Sequence, residues 1–203
     1  TKMFSGEWQG TMALTEPHAG SSLGDIYTTA SEVGDGSHKI KGHKIYISAG
    51  DHDGVENVVH LMLAKIDGAP AGSKGISLFV VPKHRPENGT LVSNDVFTAG
   101  FEAKMGMKGC PVAHLVMGDN DNCHGWLVGE PNQGLKYMFQ MMNGARISVG
   151  MMSSALSSAA YYASLEYANE RPQGRTVSNQ DVTTPMEMII NYADVKRMLL
   201  FQK

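Results

Sequence analysis

The sequence predicts an α+β chain: an antiparallel β-barrel domain over residues 1–130, followed by the first helices of an α-helical bundle domain over residues 131–203. Three observations carry this. Most of the 23 glycines fall before residue 130, where they divide short apolar runs, the pattern of strands separated by turns. Beyond Pro131, apolar residues recur at alternating steps of three and four. Between the two regions the pattern changes once, at Gly129-Glu130-Pro131.

In the first region, strands are expected at Lys39-Ile40-Lys41, at Val58 to Ala64 and at Ile76 to Val81. Gly34-Asp35-Gly36 and Asn88-Gly89 suit the positive φ angles of hairpin turns. Many short strands with such turns close into a barrel or stack as a sandwich. In the second region, Leu135, Met138, Met142, Ala145, Val149, Met152, Leu156, Ala159, Ala163 and Tyr167 form one stripe of a helix spanning roughly residues 133–170. Asn132 is its expected N-cap, and Arg171-Pro172-Gln173-Gly174 ends it, because proline cannot continue the hydrogen-bond ladder. Gly144 and Gly150 weaken a helix interior, so a close-approaching backbone or ligand is expected there. A second helix is expected over Asp194–Phe201. Two helices with a methionine-rich face cannot bury it alone, so the chain reads as a fragment or as part of an obligate oligomer.

Composition bounds the function. The chain has 203 residues, 42% hydrophobic and 18% charged, with a net charge of -3. No basic run points to nucleic acid, and no apolar stretch approaches the ~18 residues of a membrane span. Cys110 and Cys123, the only cysteines, lack a framework spacing and read as free thiols in a reducing, cytoplasmic compartment. Asp51-His52-Asp53 has no partner at a recognised ligand spacing, so no metal site is expected.

The segment Met12-Ala13-Leu14-Thr15-Glu16-Pro17-His18-Ala19-Gly20-Ser21-Ser22 breaks from a strand into a hydroxyl- and glycine-rich turn, which offers N–H groups to an anion. It resembles the signature of the acyl-CoA dehydrogenase family, Leu/Val-Thr-Glu-Pro-x-Ala-Gly-Ser-Asp. Further segments are similar in the same order. Lys44-Ile45-Tyr46-Ile47-Ser48-Ala49-Gly50 resembles Lys-x-Trp-Ile-Thr-Asn-Gly, and Lys104 to Gly109 resembles the Lys-x-Gly turn before the last barrel strand. Gly129 to Leu135 resembles the lead-in to the helical domain, and Glu170-Arg171-Pro172-Gln173-Gly174-Arg175 resembles Glu-Arg-x-x-Phe-Gly. His18, Ser22 and Gly174-Arg175 depart from the common pattern. The combination Glu-Arg-x-Gln-Gly-Arg, with the segments His60 to Lys65 and Gly75 to Lys83, is similar to the longer bacterial members, among them the 3-methylmercaptopropionyl-CoA dehydrogenases.

The resemblance implies FAD as cofactor, held by Met12, Leu14, Thr15, Gly20, Ser21, Tyr46 and Ser48. Arg171 and Gln173 would serve the pyrophosphate of a neighbouring subunit, with Arg175 as a possible second cation beside phosphate. It implies an acyl-CoA substrate near Ser21, Asn143 and Arg146, and α,β-dehydrogenation to the trans-2-enoyl-CoA. Electrons would pass to electron-transfer flavoprotein, and the complete protein would be a homodimer or homotetramer. Glu16 is implied to be structural or near the cofactor. No catalytic base is expected in this chain: the usual Glu lies later in the helical domain, and Ala145 stands where a minority of relatives carry one. The alternatives are an acyl-CoA oxidase or flavin monooxygenase on the same scaffold, or a dehydrogenase-like subunit without catalysis.

Overall fold

A computed structural model describes residues 2–203. The chain divides into two compact units, residues 1–141 and residues 142–203.

The first unit begins with a single helical turn, α1 (Lys2–Ser5), and then runs β1 (Trp8–Ala13), β2 (Thr29–Glu32), β3 (His38–Ser48), β4 (Asn57–Ile66) and β5 (Ile76–Pro82). It continues through β6 (His84–Glu87), β7 (Thr90–Ser93), β8 (Val96–Phe101), β9 (Val112–Met117) and β10 (His124–Leu127). Following the pairings from β4 to β5, β10, β3, β2 and back to β4 closes a ring. The ring itself has no free edge; the strands that extend it end in edges at β1 and β8. β1 extends the ring from β4, and β9 and β8 extend it from β3. Most neighbours are antiparallel, as the turn-rich sequence predicts, but β1–β4 and β2–β4 run parallel.

The three expected strands lie within β3, β4 and β5. Both expected hairpin turns form, with Gly34 at φ 91° and Gly36 at φ 86° between β2 and β3, and Asn88 at φ 50° and Gly89 at φ 81° between β6 and β7. Alternation along the strands, with one register shift in β3 between Lys44 and Ile47, sends Ile40 and Ile47 of β3, Met62 and Ala64 of β4, Phe79 and Val81 of β5, and Leu115 and Met117 of β9 into one core.

The helix α2 (Gly134–Glu170) appears where the three-four periodicity places it. Asn132 is not its N-cap. It takes a left-handed backbone at φ 63°, its side-chain Oδ1 has no hydrogen-bond partner among the described residues, and the first helical bond is accepted by the carbonyl of Gln133. Gly144 and Gly150 face open space: a Cβ on either would meet nothing within 4 Å.

In the second unit α2 ends at Glu170, and Pro172 pairs with Met188 across the following loop. The helix α3 (Ala193–Gln202) matches the second expected helix. Ala168 and Leu199 are buried, whereas Ile147, Met151 and Leu156 are 67%, 70% and 65% exposed.

Candidate functional site

The hydroxyl-bearing segment leaves β1 and is tied at once to β3. The Thr15 carbonyl accepts the Ile45 N–H at 2.9 Å, and Lys44 Nζ donates to the Leu14 carbonyl at 3.0 Å. Two stretches about thirty residues apart in sequence are therefore neighbours.

Glu16 is the fastener. The turn it opens is closed by reciprocal backbone bonds with Ala19, at 2.9 and 3.1 Å. Its carboxylate lies inside the fold, 2.8 Å from Lys44 Nζ, and accepts the N–H groups of Tyr27 at 2.6 Å and Thr28 at 3.0 Å, together with the Thr28 hydroxyl. Burial pushes the Glu16 pKa up, but the Lys44 charge and these donors outweigh it and hold the carboxyl below its ordinary range. Burial lowers Lys44 to about 8, with the Glu16 charge opposing. At neutral pH the pair is ionised, which a buried site tolerates because both charges are paired and hydrogen-bonded.

Gly42 makes the cluster possible: a Cβ there would lie 2.8 Å from the Thr28 Cα, so only glycine lets Thr28 reach Glu16. Lys44 shares the inward face with His38, Ile40 and Gly42 by simple alternation, a signal that could have identified it as the partner of Glu16 from sequence. Thr28 lies outside any motif and carries no such signal.

Past Lys44 the strand bulges. Lys44 pairs with Leu115 and Ile47 with Ala113, so β3 contains one residue more than β9 over the interval. Tyr46 takes φ 62° there, an uncommon angle for a bulky residue. The residue is 61% exposed. The bulge returns Ile47 to the core and leaves Ser48 exposed. On the neighbouring segment Met12, Leu14 and Thr15 are half-buried and Gly20 and Ser21 exposed. His18 stacks on Tyr27 with ring centroids 3.9 Å apart.

The remaining expected site residues belong to the second unit. Arg146 donates to Asn143 Oδ1 at 3.3 Å, both on α2. Arg171 donates to the Tyr167 hydroxyl at 3.2 Å. The Gln173 carbonyl accepts the Tyr192 hydroxyl at 2.6 Å. Arg175 is engaged within its own loop, donating to the carbonyls of Val182 and Thr184 at 2.6 to 2.9 Å. It braces the loop. Asp51 is likewise engaged, bonded to Lys83 at 2.5 Å and to the Thr98 hydroxyl at 2.7 Å, while His52 meets Gln9 at 2.9 Å.

The sequence model of the acyl-CoA dehydrogenase middle domain matches residues 11–120, which is more than half of the chain and contains the whole Thr15–Ser48 arrangement. The chain belongs to the acyl-CoA dehydrogenase family. It is 46% identical over 210 aligned positions to a butyryl-CoA dehydrogenase of Syntrophomonas wolfei, covering all of this chain and 34% of that protein. It is 45% identical to the 3-methylmercaptopropionyl-CoA dehydrogenase of Ruegeria pomeroyi, covering 98% of this chain and 33% of that protein. The chain thus spans about a third of the length of these relatives. Among solved structures, the acyl-CoA dehydrogenase of Geobacillus kaustophilus superposes with a TM-score of 0.74 at 24% identity, over 99% of this chain and 47% of that one. The butyryl-CoA dehydrogenase of Megasphaera elsdenii superposes at 0.70 with 25% identity, over 95% and 44%. No helix among the described residues is long and apolar enough to cross a membrane.

Proposed function

We propose that these residues are part of an FAD-dependent acyl-CoA dehydrogenase that converts an acyl-CoA thioester to the trans-2-enoyl-CoA and passes electrons to electron-transfer flavoprotein. Residues 1–130 form its middle β-domain and residues 131–203 begin its helical domain. The observation that carries this reading is the backbone bond from Ile45 to Thr15, which sets the hydroxyl-rich turn beside the bulged strand bearing Tyr46 and Ser48.

The donor chemistry fits the cofactor. Ser21 and Ser48 present exposed hydroxyls, Tyr46 presents an exposed ring beside them, and a pyrophosphate dianion asks for several O–H and N–H donors with an arginine. In this reading Met12, Leu14, Thr15, Gly20, Ser21, Tyr46 and Ser48 hold the flavin, and Arg171 and Gln173 serve the pyrophosphate in a neighbouring subunit of a homodimer or homotetramer. When bound, FAD supplies the hydride acceptor. Ser21, Asn143 and Arg146 orient the thioester, a positioning role that lowers the entropy cost of reaction. Abstraction of the α-proton requires a general base, for which the resemblance implies a carboxylate. Glu16 does not serve, because its carboxylate is occupied by Lys44 and Thr28 inside the fold, and Ala145 carries no acid. We place the base outside these 203 residues.

The test is anaerobic titration of the purified full-length protein with butyryl-CoA and 3-methylmercaptopropionyl-CoA. The expected result is bleaching of bound flavin by at least one thioester, with electrons recovered by electron-transfer flavoprotein. A full-length protein without flavin, or one that no acyl-CoA bleaches, would overturn the reading; peroxide as the main product would move it to the oxidases.

A further inference from the structure

We infer that His43 and His114, two residues with no part in the flavin and thioester reading, form an open two-histidine site for a borderline divalent transition-metal ion such as Zn²⁺ or Ni²⁺. Nothing in the sequence connects them, since they lie 71 residues apart. The sheet does: His43 stands on β3 and His114 on β9, neighbouring strands in antiparallel register.

The ladder fixes the pair. Gly42 pairs with Met117, His43 with Val116 and Lys44 with Leu115, and the residues flanking the two histidines along their strands, Lys44, Ala113 and Leu115, are buried. Alternation therefore turns both imidazoles to the outer face of the sheet. There His43 Nδ1 lies 3.3 Å from His114 Nε2. The ring centroids are 5.5 Å apart and the rings are inclined at 53°, so the two meet through their nitrogen edges and not as a stack. Among the described residues each ring is hydrogen-bonded only to the other. A bond between imidazoles open to water adds little to stability, because water competes for both partners.

The same separation is the bite of a metal site. Two nitrogens bound at ~2.0–2.1 Å to one tetrahedral ion stand about 3.3–3.4 Å apart. With each proton on the far nitrogen, His43 Nε2 and His114 Nδ1, both near nitrogens present lone pairs. His43 is exposed, so its ring is free to tilt until both lone pairs aim at one point. Space is available beside them: Gly100 of β8 stands opposite His114, and a Cβ there would meet nothing within 4 Å. No group of three or more His, Cys, Asp or Glu among the described residues is arranged to hold a metal ion, so water fills the other coordination positions and the site is open. Imidazole ligands suit Zn²⁺, Ni²⁺ and Cu²⁺, whereas Mg²⁺ and Ca²⁺ take oxygen ligands.

Calorimetric titration of the full-length flavin-loaded protein with zinc chloride and nickel chloride, and with magnesium chloride as the oxygen-seeking control, tests this. Saturable binding of Zn²⁺ or Ni²⁺ near one ion per chain is expected in the millimolar range or tighter, with none of Mg²⁺. His43→Gln and His114→Gln should each weaken it about tenfold or more, since loss of a group that merely supports a metal ligand already costs that much. His52→Gln removes a histidine outside the pair and should leave binding unchanged. Saturating Zn²⁺ should also raise the thermal midpoint of the native protein and not that of His43→Gln. His43 is exposed, so this variant keeps the fold and decides the matter alone if His114→Gln does not fold. Absence of saturable binding, equal binding of Mg²⁺, or native affinity in His43→Gln would overturn the site.

Discussion

Lys44 is a fully buried lysine whose only carboxylate partner within 4.0 Å among the described residues is Glu16. Removing one member of such a pair strands the other charge in the core, a loss of about 3–5 kcal/mol. Lys44→Met should therefore lower the urea-derived stability by that amount. Lys44→Met with Glu16→Gln should recover most of it, because no uncompensated charge remains; a double variant as unstable as the single one would show that the backbone contacts to Leu14 and Thr28 dominate. His60 offers a second case at the same scale. It is buried on β4 against the Thr11 hydroxyl, 2.6 Å from Nδ1, and burial, opposed by the Asp51 charge, lowers its pKa from 6.5 to about 4. Between those values the unfolded chain takes up a proton that the folded chain refuses. Stability is then complete above pH 6.5 and declines as the solution is acidified toward pH 4, by on the order of 3 kcal/mol. Thermal melts at half-unit steps should show this decline in the native protein and a flatter profile in His60→Gln over the same window.

Among the elements, legibility tracked the kind of signal each one carries. The helix α2 and the Asn88-Gly89 hairpin were readable because a period of 3.6 and a pair of left-handed residues are local properties of the chain. The bulge at Tyr46 was not: nothing between Lys44 and Ile47 records that β9 passes with one residue fewer, since the count is fixed by a strand about seventy residues away. Asn132 shows the same limit, because a residue suited to capping was instead drawn into a left-handed turn by the bond of its N–H to Ser77. For the candidate site, the motif residues were readable and the Glu16–Thr28–Gly42 close approach was not, as it depends on three separate segments meeting. At this scale α2 supplies a prediction of its own. Gly144→Ala and Gly150→Ala should each stabilise the 203 residues alone by about 1 kcal/mol, since the new Cβ meets nothing and alanine is the better helix former. In the full-length protein the same changes should be neutral or destabilising if another element packs closely there. Stabilisation of both proteins alike, measured by thermal midpoint, would show that these glycines accommodate no neighbour.

For the molecule as a whole, the proposed chemistry is divided between what these residues hold and what they lack. In the proposed reading the loop and bulge would provide donors for a flavin and Arg171 a cation for its pyrophosphate, while the Glu16 carboxylate is held by Lys44 and Thr28. Cofactor retention and turnover should consequently come apart. The 203 residues alone, mixed with FAD and butyryl-CoA, should give no substrate-dependent bleaching, whereas the full-length protein should bleach; bleaching by the shorter chain would place the base within it and refute the division. In the full-length protein, Arg171→Ala removes charge-assisted hydrogen bonds of about 1.5–3 kcal/mol, so FAD affinity should fall by roughly tenfold or more. Arg171 is proposed to act across a subunit boundary, so a mixed oligomer decides the geometry. Arg171→Ala subunits assembled with native ones should weaken the flavin held by their neighbours while keeping their own at native affinity. Weakened binding confined to the substituted subunits would show that Arg171 serves its own flavin, and native affinity everywhere would remove it from the site.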